Sequence, residues 1–258
     1  MGPTPLLDFF KRGEAAHDVR MLAAQGALAP RAHEQLAILV LLTGDPDPAV
    51  CSAAEDTLRR IPGDLLGAFL ARADAPIELR EFFASRGISP ARIAAAEADL
   101  PLIEAPGSQH ETGGNDGDRD RETIMQHLQK MGFTERLKAA MKGSREMRAI
   151  LVRDTNKMIA AAVLSSPRLT ESEVESIARM ANVSEDVLRI IASNRSWMKN
   201  YSIVVGLTKN PKTPLATSLN LMPRLNDRDL SMLSVDRNVP EPLRVAARKR
   251  VVAGRDKR

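Results

Sequence analysis

The sequence predicts an all-α protein, built as two helical-repeat units joined by a flexible linker. Three observations predict it. Aromatic residues make up only 3% of the chain, while the 43% hydrophobic share is carried by Ala, Leu, Ile, Val and Met, residues that pack helix on helix. Apolar positions recur at three-and-four spacing in segments of eight to twelve residues, and alternation of strand type is nearly absent. Asp, Asn and Pro separate those segments, and the punctuation itself recurs.

Taken in order, "RAHEQLAILVLL" (31–42), "AVCSAAEDTLRRI" (49–61), "GDLLGAFLAR" (63–72) and "IELREFFAS" (77–85) are expected helices of a first, acidic unit, 1–103. In the second of them Val50, Ala53, Ala54, Thr57, Leu58 and Ile61 share one face. Residues 104–122, "EAPGSQHETGGNDGDRDRE", hold no apolar residue but Ala105. Such a stretch buries too little to offset its ordering entropy and is read as the linker. His110 within it is read as solvated. A basic unit, 123–253, follows, and 254–258 form a basic tail. Its expected helices run from "TIMQHLQKM" through "ERLKAAMK", "REMRAILVR", "MIAAAVLS", "ESEVESIARMA" and "EDVLRIIAS" to "MKNYSIVVGLT", "LATSLNLM", "RDLSMLSV" and "EPLRVAARKRVV". His127 falls among Ile124, Leu128 and Met131, as a packed or rim residue. Charge divides with the units. Residues 1–120 carry 11 Lys/Arg against 19 Asp/Glu, a balance of −8, and residues 121–258 carry 26 against 14, a balance of +12.

Residues 151–185 align without a gap on 207–241. Leu151/Leu207, Ala160/Ala216, Pro167/Pro223, Arg168/Arg224, Leu169/Leu225, Asn182/Asn238, Val183/Val239 and Glu185/Glu241 are identical pairs. A third copy lies in the first unit: "LTGDPDPAV" (42–50) matches "LTKNPKTPL" (207–215), and "PIELR" (76–80) matches "PEPLR" (240–244) after one skipped residue. Asp or Asn is expected to cap each new helix. Pro46, Pro211 and Pro214 are expected in the turns, where a missing N–H is no loss. "TESE" (170–173) and "NDRD" (226–229) supply a cap with an acid three positions on. Short helices repeating as sets describe an α-solenoid, in which stacking buries faces that one set could not bury alone.

"GDPDPAVCSAAEDTL" (44–58) resembles a HEAT-type helix start, and "SSPRLTESEVESIA" (165–178) and "LMPRLNDRDLSMLS" (221–234) resemble the Pro-x-Leu-x-x-x-x-Leu element of leucine-rich-repeat variants. Both units thus resemble the broad HEAT-like superfamily, as do helical-repeat proteins of bacteria with a two-part layout. The resemblance implies architecture and an interaction role. One member of the variant family holds an iron–sulfur cluster through several cysteines; with Cys51 alone, that function does not carry over, and no cofactor is expected.

No Walker-type loop, GxGxxG, HExxH, Cys-x-x-Cys or GxSxG occurs, and His17, His33, His110 and His127 are scattered, so no catalytic residue is assigned and the chain is read as non-enzymatic. Acid pairs such as Glu173/Glu175 and Asp227/Asp229 suit helix first turns. The longest strong apolar run, 36–42, is far too short to span a membrane, no signal peptide is read, and Leu6 argues against myristoylation; a cytoplasmic protein is expected. Two basic groups stand out: Lys138, Lys142, Arg145 and Arg148, and the run from Arg244 to Arg258 that includes Arg248, Lys249 and Arg250. Trp197, Lys199 and Tyr201 form a third group, readable as a helix-pinning aromatic pair or as an exposed anchor. Together these ten residues are the candidate interaction surface. Protein partners are expected first. Nucleic acid is the alternative, by comparison with HEAT-like DNA glycosylases of alkylated purines, although stacking aromatics are scarce and no catalytic Asp can be placed. A further expectation is contact between the acidic and basic units.

Overall fold

The computed structural model describes residues 5–28, 30–93, 100–103 and 119–255. Among them the chain is helical throughout, with no strand. Its helices are α1 (Pro5–Lys11), α2 (His17–Ala24), α3 (Ala32–Leu42), α4 (Pro48–Arg60), α5 (Gly63–Leu70), α6 (Ile77–Ala84), α7 (Arg119–Lys130), α8 (Phe133–Lys142), α9 (Arg145–Leu151), α10 (Lys157–Ser165), α11 (Glu171–Arg179), α12 (Glu185–Ser193), α13 (Tyr201–Lys209), α14 (Leu215–Leu221), α15 (Asp227–Val235) and α16 (Glu241–Arg255). Single 3-10 turns, Trp197–Lys199 and Met222–Arg224, precede α13 and follow α14. The chain forms two compact units, one ending at Leu169 and the other beginning at Thr170. Most of the expected linker, 104–122, lies outside the described residues, as do His110 and the tail beyond residue 255. Helices α7–α10, expected in the basic unit, belong to the first compact unit, because α10 packs on α1 as well as on α8.

Capping explains most of the helix starts. Asp47, Ser144, Asn156, Thr170, Ser184, Asn200 and Asn226 each accept an amide of the first turn through the side chain. Thr170 and Glu173 complete a reciprocal capping box. Pro48 opens α4, and Pro46 and Pro211 stand in turns. One expectation needs correction. Asp45, Asp154 and Asn210 cap no helix start. Each follows a helix end and folds the turn, its Oδ1 accepting the amide two residues on: Asp47, Asn156 and Lys212, at 2.9, 2.8 and 2.9 Å. The other side-chain atoms then reach sideways. Asp45 receives Arg20 of α2 at 3.0 Å, Asp154 receives Arg136 of α8 at 2.7 Å, and Asn210 donates to the carbonyls of Ala178 and Met180, at the end of α11.

The internal repeat extends from letters to geometry. At the constant offset of 56 residues that carries Leu151 onto Leu207, α9–α12 fall on α13–α16, with α11 and α15 matching end to end. The Arg168 guanidinium donates to the Lys142 carbonyl, and its equivalent Arg224 donates to the equivalent Met198 carbonyl. Helices α3–α6 take the same order, with Asp45 on Asp154 and Asn210. Three copies of a four-helix set therefore make up most of the described chain, preceded by α1 and α2 and, ahead of the second copy, by α7 and α8.

Short helices supply the core mainly through Leu, Ile, Val and Ala. In the first unit Leu6, Leu36, Leu39, Leu70, Leu137 and Ile159 are fully buried, and in the second Val174, Leu188, Ile203, Leu207 and Leu233. The close approach of α8 to α9 depends on Gly143, where an added Cβ would run into the Ala139 carbonyl oxygen and stand 3.0 Å from Met147 Sδ. Backbone cannot yield as a side-chain tip can. Gly143→Ala is expected to destabilise the chain by about 2 kcal/mol in urea unfolding; a midpoint equal to wild type contradicts this packing.

Candidate interaction surface

The third copy closes on a helical hairpin. Leu230, Leu233 and Ser234 of α15 and Leu243 and Ala247 of α16 are buried, which leaves one outer stripe on each helix. Side chains three and four apart share a helix face. On α15 that stripe is Arg228, Ser231, Met232 and Val235, and on α16 it is Val245, Arg248, Lys249 and Val252; all eight are exposed. Val235 is 69% exposed and Val252 52%, high for aliphatic side chains. Arg228, Arg248 and Lys249 make no ion pair among the described residues, and the exposed Glu241 stands one turn before Val245 on the same face of α16.

The other candidate residues are distributed differently. Lys138 and Arg145 are exposed and Lys142 half-buried, and all three belong to the first unit. Arg148 is buried and donates to the Gly143 carbonyl at 2.9 Å, bracing the α8–α9 turn. Trp197 is buried, 5% exposed, in the 3-10 turn ahead of α13, where the Asn194 side chain accepts its amide. Of the two readings offered for the aromatic pair, Trp197 is the helix-pinning residue. Arg148 and Trp197 thus belong to the packed interior. Lys199, Arg248, Lys249 and Arg250 are exposed.

Tyr201 is 41% exposed and has a fixed task. Its hydroxyl donates to Asp229 Oδ2 at 2.7 Å and accepts the Asn226 amide at 3.1 Å, while Lys209 Nζ reaches Asp229 Oδ1 at 2.9 Å. Asp229 is held below the usual carboxylate range, first by the Tyr201 hydrogen bond and then by Lys209; the phenol is pushed up, first by desolvation. This trio ties α13 to the first turn of α15. Tyr201→Phe is expected to lower stability by about 1 kcal/mol, since Asp229 keeps Lys209 and the Asn226 side chain; unchanged thermal unfolding contradicts that role.

Outside the hairpin the acidic groups also have structural partners. Glu55 and Arg86 pair at 2.6 Å, with the guanidinium over the Phe82 ring at 4.1 Å. His17 pairs with Asp47 at 2.9 Å, and His127 is exposed. Among the described residues no group of three or more His, Cys, Asp or Glu could hold a metal ion, and no helix is long and apolar enough to cross a membrane. Met232, Val235, Val245 and Val252 were missed by sequence reading. At helical spacing they look like core, and only the second copy gives them away: at the position of Val245 it has Arg189, paired with Glu185 at 2.6 Å.

Comparison of the chain with protein-family models, with curated proteins and with solved structures gives no match.

Proposed function

We propose that the chain is a non-enzymatic protein-binding scaffold, built of HEAT-like helical repeats, that engages a protein partner in the cytoplasm. The observation that carries this reading is the threefold recurrence of one four-helix set with one turn chemistry. Repetition enlarges a surface, and it gives no single place in the chain a chemistry the others lack. The acids with perturbed environments fit this, since Glu34, Asp47, Asp229 and Glu55 are each engaged in a cap, a helix tie or an ion pair.

A second reading, binding of nucleic acid, is favoured by the exposed run Arg248, Lys249 and Arg250 on α16, cations without an ion pair among the described residues. Electrophoretic retardation of oligonucleotides by the full chain separates the two. Phosphate contacts weaken steeply with salt. The scaffold reading predicts no retardation at moderate salt, together with a stoichiometric complex when a captured protein is purified and remixed with the chain. Retardation that survives moderate salt, with no such protein complex, overturns it.

A further inference from the structure

We propose that the first turn of α3, around Gln35, is a recognition groove for a short aliphatic peptide segment bearing a proline. In the free chain its own residues 100–103 fill the groove, and a protein partner's segment of the same kind takes their place. This inference rests on the scaffold reading and names a site and the chemistry of the partner.

The groove is an addition to the repeat. By the equivalence of Asp45, Asp154 and Asn210, Gln35 falls on Ser144 and Asn200. Those two stand just ahead of α9 and α13 and cap them, accepting the amides of Met147 and Ser202. Helix α3 starts earlier, at Ala32, so the first copy carries a turn that its equivalents lack. Two polar side chains of that turn are buried, Glu34 and Gln35, at 1% and 2% exposure. Both reach main chain from outside the set α3–α6. Glu34 takes the amides of Leu6 and Leu7 in α1, and Gln35 takes residues 102 and 103.

The grip has the form of peptide recognition. Gln35 Oε1 accepts the consecutive amides of Leu102 and Ile103 at 2.8 and 3.2 Å, and Nε2 donates to the Ile103 carbonyl at 2.6 Å. One carboxamide thus uses both its acceptor and its donor on main chain. Ile103 packs over Gly26, its Cγ2 3.5 Å from where a Cβ there would stand, and Thr57 Cγ2 lies 3.4 Å from the same point. Gly26 has φ +74°, a conformation that keeps larger residues from filling the seat. The hydrogen bonds that tie the segment to the described residues all run through Gln35. Leu100 is exposed, and Pro101, Leu102 and Ile103 are half-buried. A segment held this lightly exchanges with a free one that restores the same three bonds. Pro101 fixes its own φ, which lowers the ordering cost for a tethered and a free peptide alike. A phosphate backbone offers Gln35 Oε1 no amide, so the groove selects peptide.

The test uses the isotope-labelled full chain and the unlabelled synthetic peptide ADLPLIEA, the sequence of residues 98–105, followed through the amide resonances of Leu102 and Ile103. A tethered segment competes at an effective concentration of about 1 mM, so peptide at roughly 5 mM is expected to move both resonances toward unbound positions. This arm needs no variant to fold. The chain carrying Leu102→Pro with Ile103→Pro loses both donors, and is expected to bind the peptide at least about tenfold more tightly than wild type does. Gln35→Ala in that chain is expected to abolish the binding, as are the same two prolines placed in the peptide. Resonances unmoved by excess peptide, no gain in the proline variant, or binding indifferent to Gln35→Ala overturns the inference. A dimer in sedimentation that Gln35→Ala dissolves assigns the groove to a second copy and overturns it too. If the peptide arms fail while a purified protein complex stands, the groove falls alone. If oligonucleotide is retarded at moderate salt and no protein complex forms, the scaffold reading falls and takes this inference with it.

Discussion

Glu34→Ala is expected to lower the free energy of unfolding by about 3 kcal/mol and to loosen α1 from the first unit. Glu34 is 1% exposed on α3, and its Oε1 accepts the amides of Leu6 and Leu7 at 2.8 and 3.1 Å. These are donors that a helix cannot satisfy within its own first turn. Alanine leaves both buried and unpaired. Glu34→Gln keeps an acceptor and is expected to be much milder. The pair of variants also carries a pH signature. Burial raises the Glu34 carboxyl from 4.5 to about 6, opposed by the Ser165 side chain, the Leu7 and Leu6 amides and the charge of Arg31. The Ser165 hydroxyl has no partner at ordinary hydrogen-bond geometry, so its help is weak. The folded state therefore binds this proton more tightly than the unfolded state. Its contribution is fully present below about pH 4.5 and is lost as pH rises through about 6, in all about 2 kcal/mol. In urea unfolding across that window, wild type should lose this stability relative to Glu34→Gln. Parallel curves for the two proteins contradict the assignment.

Asn210→Asp is the second large effect. The Asn210 amide is 3% exposed and works in both directions: Nδ2 donates to Ala178 and Met180 at 2.8 and 2.9 Å, and Oδ1 accepts from Lys212. A carboxylate keeps the second task and fails the first, setting a charge against two carbonyl oxygens. A loss of about 3 kcal/mol or more is expected near neutral pH, shrinking in acid as the group protonates. The reciprocal changes are gentler. Asp45→Asn and Asp154→Asn preserve the turn acceptor and remove only the ion pair with a partly exposed arginine, Arg20 or Arg136, a loss of about 1 kcal/mol. Guanidinium unfolding of the three variants reads the order directly, and Asn210→Asp ranking mildest contradicts it.

These residues show what a sequence discloses and what it withholds. Helix starts were legible at Thr170 and Asn226, where a side chain caps its own first turn, because that chemistry spans three residues. The repeat was legible because its turns reuse the same letters. Helices α1 and α2 were not. They are seven and eight residues long, α2 follows Ala16 and so has no side-chain cap, and α1 is anchored by an acid 28 residues away. Asp45 and Asn210 were read as helix-start caps because Asp/Asn-Pro commonly begins a helix; their sideways bonds to α2 and α11 exist only after folding. The candidate surface divided for the same reason. Exposure of Arg248, Lys249 and Arg250 followed from charge alone, whereas the burial of Arg148 and Trp197 depends on what packs over them. Sequence likewise cannot separate the valines of α16 from core valines, since both keep helical spacing.

The central claim is that three sets of helices are one structural element used three times, each closed by the same acid or amide. Urea unfolding of Asp45→Ala, Asp154→Ala and Asn210→Ala, measured side by side, tests it most directly. Each is expected to lose about 2 kcal/mol, since each removes a turn cap and a tie to a neighbouring helix. A substitution at any one of the three that leaves the midpoint unmoved contradicts the claim.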